Sequence, residues 1–194
     1  MFHPFDGFEE LKRYKKGKLS VAVLFIFLYA LFQIFSYQYE GFVINMHNPL
    51  ELNSLNEIFS VFLLVFLFTV GNWSVTTLME GKGSYKEILM VTGYALFPII
   101  IIGFPSVVLS NFLTLEEIAL YQLLSVLSYV LAGWMLFMGI LNIHHYGLFK
   151  TILAFIITVV AMSVMMFLGL LFFDLIQQFI AFIISIYEEL SLRY

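Results

Sequence analysis

The sequence contains no cysteine, and only 11% of its 194 residues are charged. Without cysteine, the chain has no disulfide, no thiolate ligand for an iron–sulfur cluster and no thiol nucleophile. An ordinary soluble domain carries about 25% charged residues, so this chain is not built to face water on all sides. The remainder is apolar, with 62% hydrophobic and 19% aromatic residues. The composition predicts a membrane protein.

Five long apolar runs account for most of this composition. A helix of about 17–25 apolar residues spans the hydrocarbon of a bilayer, and each run reaches that length. The runs cover residues 19–37, 55–79, 88–109, 118–143 and 148–173. They predict an all-α, polytopic membrane protein with five transmembrane helices in one domain, residues 1–194, without room for a separate soluble domain.

The short connections between the runs alternate between basic and acidic, which predicts the orientation. Basic residues resist translocation, so loops rich in lysine and arginine stay in the cytoplasm. A cytoplasmic N-terminus retains eight of the nine basic residues inside and leaves only Arg193 outside. The eight are Lys12, Arg13, Lys15, Lys16, Lys18, Lys82, Lys86 and Lys150. We expect the N-terminus inside and, after five crossings, the C-terminus outside.

Three helix starts are predicted by the pattern S/T-x-x-E before an apolar run. In such a capping box the hydroxyl and the carboxylate each accept from a backbone N–H that the helix leaves open. The three pairs are Ser54 with Glu57, Ser84 with Glu87, and Thr114 with Glu117.

The fifth run continues into a C-terminal amphipathic extension, residues 174–190. One helix over residues 148–189 would be about 60 Å long, twice the hydrocarbon thickness. On a helical wheel the polar side chains of the extension fall within an arc of about 120°. These partner-facing candidates are Asp174, Gln177, Gln178, Ser185, Glu188 and Glu189. We expect a helix that lies in the outer interface or stands against a partner, with a sixth span as the alternative.

The N-terminal segment has a weaker amphipathic pattern. Phe5, Phe8 and Leu11 are spaced by three residues beside several basic residues. This spacing is typical of a helix that rests on anionic headgroups, and a solvated basic flank is the alternative.

Polar residues inside the runs are few. In the second run Thr69, Asn72 and Thr76 share one helical face, with Trp73 beside it. Polar groups in hydrocarbon must find partners, so we expect hydrogen bonds between helices; a solute pathway is the alternative. In the third run Pro98 and Pro105 remove two backbone donors and predict a kinked or broken helix.

The fourth run ends in Asn142, His144 and His145. Adjacent histidines point about 100° apart on a helix, and no acidic cluster supplies further ligands, so no metal site is expected. The loop at residues 80–84 lacks the first glycine of a phosphate-binding loop. No catalytic residue and no cofactor site are predicted, and the apolar runs hold almost none of the buried carboxylates and histidines that an intramembrane enzyme or a coupled transporter needs.

Several segments together resemble the Yip family, the Ypt/Rab-interacting integral membrane proteins, in its bacterial branch. They are GNWSVTTLMEGKGSYKEILMVTGYALFP at residues 71–98, LNIHHYGLFKTIL at residues 141–153 and the tail YEELSLRY. The resemblance covers most of the chain. It implies five spans, a cytoplasmic N-terminus and an external C-terminus. Eukaryotic relatives act in vesicle trafficking through a long cytosolic region, of which about 18 residues have a counterpart here.

The resemblance and the composition together lead to one functional expectation. The chain is expected to be a non-enzymatic protein of the bacterial cell membrane, an accessory or scaffold subunit that binds another integral membrane protein, as in a transport complex. Its expected partners are the lipid bilayer and that membrane protein, and no binding of nucleic acid is expected. The alternative is a small-solute or ion transporter or channel. Its pathway would use the polar and proline residues Thr69, Asn72, Trp73, Thr76, Pro98, Pro105 and Asn142.

Overall fold

The computed structural model describes residues 4–14, 17–45 and 47–191, and within them the chain forms seven α-helices. They are α1 (Pro4–Arg13), α2 (Leu19–Tyr39), α3 (Ser54–Leu78), α4 (Tyr85–Ala95), α5 (Phe97–Ser110), α6 (Ile118–His144) and α7 (Leu148–Ser191). Lys15, Lys16, Arg193 and the side chain of Phe5 lie outside the described part of the chain. The all-α prediction is confirmed.

Five stretches are long and apolar enough to cross a membrane, as predicted. They are Leu19–Tyr39, Ser54–Leu78, Tyr85–Ser110, Leu115–His144 and Leu148–Glu189. The bundle has two ends. The "α1 end" holds α1 and the connections α3–α4 and α6–α7, and the "far end" holds the connections α2–α3 and α5–α6.

The third span is broken, as its prolines predict. Helix α4 ends at Ala95, α5 begins at Phe97, and Leu96 lies between them. Pro98 occupies the first turn of α5. Backbone N–H groups in the first turn have no partner within the helix, so the N–H that proline lacks costs no hydrogen bond there. Both halves pack against α2 and α6, so the break lies inside the bundle.

Two of the three predicted capping boxes are confirmed. The Ser84 hydroxyl accepts from the Glu87 N–H, and the Glu87 carboxylate accepts from the Ser84 N–H at 2.7 Å. Glu117 likewise accepts from the N–H of Thr114 at 3.1 Å. The box predicted at Ser54 is wrong.

Helix α3 is capped one residue earlier than predicted. The Asn53 side chain accepts from the backbone N–H of Asn56, and Ser54 is the first helical residue. Asparagine caps a helix as well as serine does, so the earlier residue takes the position.

The N-terminal helix is docked into the bundle. Phe8 and Leu11 are buried in one apolar cluster with Ile88, Val91 and Ile143 of α4 and α6. Both sequence-based expectations for this segment, headgroup contact and a solvated flank, are therefore wrong for these two side chains. Helix α1 instead covers apolar surface at one end of the bundle.

Helix α7 is a single helix of 44 residues. Thr151, Ala154 and Thr158 are buried in its first half, which packs on α3. Beyond this half, every residue from 170 to 189 is exposed. The extension predicted at residues 174–190 is the second half of α7, and within the described residues this helix has no turn from which a sixth span would start.

Candidate functional site

The polar stripe of α3 is buried and joins two helices. Thr69, Asn72 and Thr76 are at most 1% exposed. The Asn72 side-chain nitrogen donates to the Thr158 hydroxyl of α7 at 3.1 Å, and that hydroxyl donates to the Ala154 carbonyl at 2.7 Å. The Asn72 side-chain oxygen has no hydrogen-bond partner among the described residues. The stripe therefore makes the kind of interhelical contact that polar residues make in membranes.

The other predicted pathway residues are divided: Pro98 and Asn142 are buried, whereas Trp73 and Pro105 are exposed. Trp73 is 45% exposed and meets the Tyr85 ring edge-on, and Pro105 is exposed as well. Asn142 donates to the Met138 carbonyl of its own helix at 3.0 Å. The structure brings Thr69, Asn72 and Thr76 together and places Trp73 and Pro105 on the outer surface.

A polar cluster at the α1 end ties α1 to the bundle. The Lys12 ammonium lies 2.8 Å from the Glu87 carboxylate and donates to the Lys82 carbonyl at 2.7 Å. The same Glu87 oxygen caps α4 by accepting from Ser84. One carboxylate thus joins α1, the α3–α4 loop and α4. Sequence reasoning found the cap because it is local, and it missed Lys12, which is 75 residues away.

His144 and Tyr146 lie beneath the α3–α4 loop. His144 is 1% exposed, and its Nδ1 accepts from the Gly83 N–H at 3.2 Å. The Tyr146 hydroxyl donates to the Thr76 and Met79 carbonyls, both at 3.2 Å, and thereby satisfies carbonyls at the end of α3. Burial, followed by the nearby Glu80 carboxylate, raises the pKa of Tyr146 and keeps the phenol in its donating form.

Glycine is required in this loop because the chain passes close to the histidine. A Cβ on Gly83 would come within 2.6 Å of the His144 ring. His145, the residue after His144, caps the C-terminal end of α6 and has the left-handed conformation, with φ of 55°. Within the described ranges, no group of three or more histidine and acidic side chains is arranged to hold a metal ion.

The second candidate region is the outer half of α7. We define the "α7 extension" as residues 170–189. All six partner-facing candidates are exposed: Asp174, Gln177, Gln178, Ser185, Glu188 and Glu189. The Gln178 amide donates to the Asp174 carboxylate at 2.8 Å, one helical turn away. No lysine or arginine occurs between residues 151 and 191, so this polar stripe is acidic.

The opposite side of the α7 extension is apolar and equally exposed. Phe179 is 64% exposed and Ile183 50%. An upright helix with this much apolar surface is not stable in water alone, because large apolar patches in soluble regions are normally covered. The extension therefore presents two different faces, one acidic and one apolar.

A comparison with protein-family models matches the Yip1 domain over residues 1–187. The chain belongs to the Yip1 family. No curated protein and no solved structure matches it significantly. The Yip1 match ends at Tyr187, so nearly all of the α7 extension lies within the family domain. The resemblance inferred from the sequence is confirmed at the level of the family.

Two of the three segments that carried the resemblance, residues 71–98 and 141–153, meet in space. Gly83 of the first segment contacts His144 of the second, and Thr76 of the first accepts from Tyr146 of the second. Glu87 of the first segment binds Lys12 of α1. These Yip1 segments therefore build the α1 end of the bundle.

Proposed function

We propose that this Yip1-family chain is a non-enzymatic accessory or scaffold subunit that binds other integral membrane proteins in the bacterial cell membrane. Its N-terminus is then cytoplasmic, and the α7 extension stands on the outer side. The observation that carries the proposal is the exposure of the α7 extension along its whole length. A transport complex is one kind of assembly that such a subunit joins.

The helix register supports a protruding extension. The Asn72–Thr158 contact pairs α3 with α7, which run in opposite directions. Ser54, the first residue of α3, lies eighteen residues before Asn72, and Ile176 lies eighteen residues after Thr158. Ile176 of α7 is therefore level with the start of α3. The part of α7 after Ile176 therefore extends past the start of α3, by about 20 Å at 1.5 Å per residue.

The charge of the polar stripe indicates the chemistry of a partner. Asp174, Glu188 and Glu189 lie on one face without a lysine or arginine on the same helix beyond Lys150. Complementary charge steers association and excludes like-charged surfaces. The best-fitting partner surface is therefore basic and lies just outside the membrane.

The transporter alternative requires polar residues that face an aqueous space. Thr69 donates to the Val65 carbonyl and Thr76 to the Asn72 carbonyl, both within α3, and both threonines are buried. Hydroxyls satisfied in this way are typical of helices that pack tightly, which favours the scaffold over the pathway.

Purification with matched charge variants tests the proposal. The tagged chain, extracted in mild detergent, is expected to retain a stoichiometric membrane partner. Asp174→Lys with Glu188→Lys should lower its recovery about fivefold or more, since like charges then meet at the contact. The control is Asp174→Asn with Glu188→Gln, which removes the charge without reversing it and should have a smaller effect.

Two outcomes contradict the proposal. The first is equal partner recovery from the charge-reversed chain, the neutral control and the parent, which contradicts the acidic stripe as the contact. The second is a chain recovered without a partner that moves solute after reconstitution into liposomes, which would support the transporter.

A further inference from the structure

We propose that the apolar face of the α7 extension pairs with a second copy of this chain in a parallel helical assembly. The inference rests on the proposed function, because it treats the extension as an interaction surface and names its first occupant. The assembled extensions then present their acidic stripes outward to other membrane proteins.

The spacing of the apolar residues supports this occupant. Five residues follow each other at intervals of four and three: Phe172, Ile176, Phe179, Ile183 and Ile186. This is the repeat of the a and d positions that form the seam of a coiled coil. All five are between 37% and 64% exposed, so the seam is free in the single chain.

Most polar residues of the extension occupy the outer positions of the same repeat, and Glu189 lies at a flanking g position. With Ile176 and Ile183 at a, the f positions are Asp174, Ala181 and Glu188, and the c positions are Gln178 and Ser185. Positions b, c and f face away from the partner helix, and like charges there are kept apart. The flanking positions Ile180 and Phe182 are apolar too, which widens the contact on both sides of the seam.

The membrane supplies the correct direction and register. Two copies inserted in the same orientation project their extensions on the same side, so the helices are parallel and begin at the same height. A parallel seam brings each a residue opposite its own counterpart. An unrelated partner has to match direction, height and repeat separately, whereas a second copy matches all three.

The continuity of α7 argues against the membrane surface as the occupant. An extension that lies flat requires a sharp bend near its start, and sharp bends occur at proline, at glycine–serine pairs or at bulges. Helix α7 has no proline, and it continues as one α-helix through Gly169 and Asp174. The α7 extension therefore stays upright, and its apolar face is accessible to the extension of a parallel copy.

Single cysteines test the seam, because the chain contains none of its own. Ile183→Cys places a thiol on the seam, and Ser185→Cys places one on the outer face of the same turn. Under mild oxidation in native membranes, Ile183→Cys should form a disulfide-linked pair about tenfold faster, since a disulfide needs Cβ atoms within about 4.5 Å. Equal rates for the two variants, or no linked pair from Ile183→Cys, overturn the inference.

A photo-crosslinking amino acid at Phe179 separates this inference from the proposed function. A product with a second copy of the chain supports the self-pairing. A product with a different protein refutes the self-pairing and leaves the scaffold proposal standing. Absence of any product overturns the self-pairing alone, because the partner of the proposed function meets the acidic stripe and not the apolar face.

Co-purification of two differently tagged copies gives an independent measurement. Ile176→Glu with Ile183→Glu should abolish co-purification, whereas Gln177→Glu with Ser185→Glu should leave it within about twofold of the parent, since the same charges then lie at outer positions. All four sites are exposed and distant from the buried cluster of the bundle, so folding is not at risk. Equal co-purification by both variants contradicts the seam.

Discussion

Small residues set how closely the spans approach each other. A Cβ on Gly93 of α4 would come within 2.5 Å of the Ala22 carbonyl oxygen of α2. Between helices in a membrane, such close backbone approach supplies packing energy that the hydrophobic effect does not. The pair formed by Asn72 and Thr158 adds a hydrogen bond to the α3–α7 contact.

Gly93→Ala should therefore destabilise the chain. The atoms in the way belong to the backbone of Ala22 and cannot rotate aside, so overpacking should cost about 1–3 kcal/mol. Gly133→Ala is the matched control, because its Cβ meets nothing within 4 Å; it should be neutral or stabilise by up to about 1 kcal/mol. Reversible unfolding in detergent measures both. A Gly93→Ala variant as stable as the control contradicts the close α2–α4 contact.

Local residue patterns were predictable, and long-range contacts were not. The cap formed by Ser84 and Glu87 follows from four consecutive residues, so the sequence contains the whole interaction. The Lys12–Glu87 ion pair joins positions 75 residues apart, and no periodicity indicates it. The Ser54 box was wrong because Asn53 offered an equally good acceptor one residue earlier.

Helix α1 depends on its contacts with the rest of the bundle. It is ten residues long, which is too short to be stable alone in water, so its packing must hold it. Phe8 and Leu11 supply the apolar contact, and Lys12 supplies the ion pair with Glu87. At the α1 end, this short helix is therefore held by apolar packing and by the ion pair of Lys12 with Glu87.

Lys12→Ala should loosen α1. Loss of the bonds to Glu87 and to the Lys82 carbonyl should lower hydrogen-exchange protection of the α1 amides about fivefold, equivalent to about 1 kcal/mol. Arg13→Ala is the control, because Arg13 is exposed and, among the described residues, its ion pair is with Glu9 of its own helix at 3.3 Å. Unchanged protection in Lys12→Ala, or equal loss in both variants, would show that the ion pair does not hold α1.

At this scale the sequence predicted the number of spans and the broken third span, because hydrophobic length and proline placement are local. It predicted the extension at residues 174–190 and left open whether this segment stands upright or bends into the membrane surface. Amphipathic periodicity is the same for a separate surface helix and for the second half of a longer one. The two cases differ in whether the backbone bends near the start of the extension, and the pattern of apolar and polar side chains does not indicate this.

The whole molecule is a five-span bundle of the Yip1 family with one long helix protruding at the far end. Five crossings would put the two chain ends on opposite sides of a membrane. The basic residues cluster at the α1 end, which predicts that this end is cytoplasmic. The proposed partner surface and the proposed self-pairing both depend on this arrangement.

Labelling of Lys82→Cys and Asn48→Cys from one side of the membrane tests the five-span topology most directly. Both positions are exposed, one in the α3–α4 loop and the other in the α2–α3 connection. With a membrane-impermeant thiol reagent on intact cells, Asn48→Cys should label at once, and Lys82→Cys should label only after the membrane is opened. Labelling of both residues from the same side would contradict the five-span topology and the account built on it.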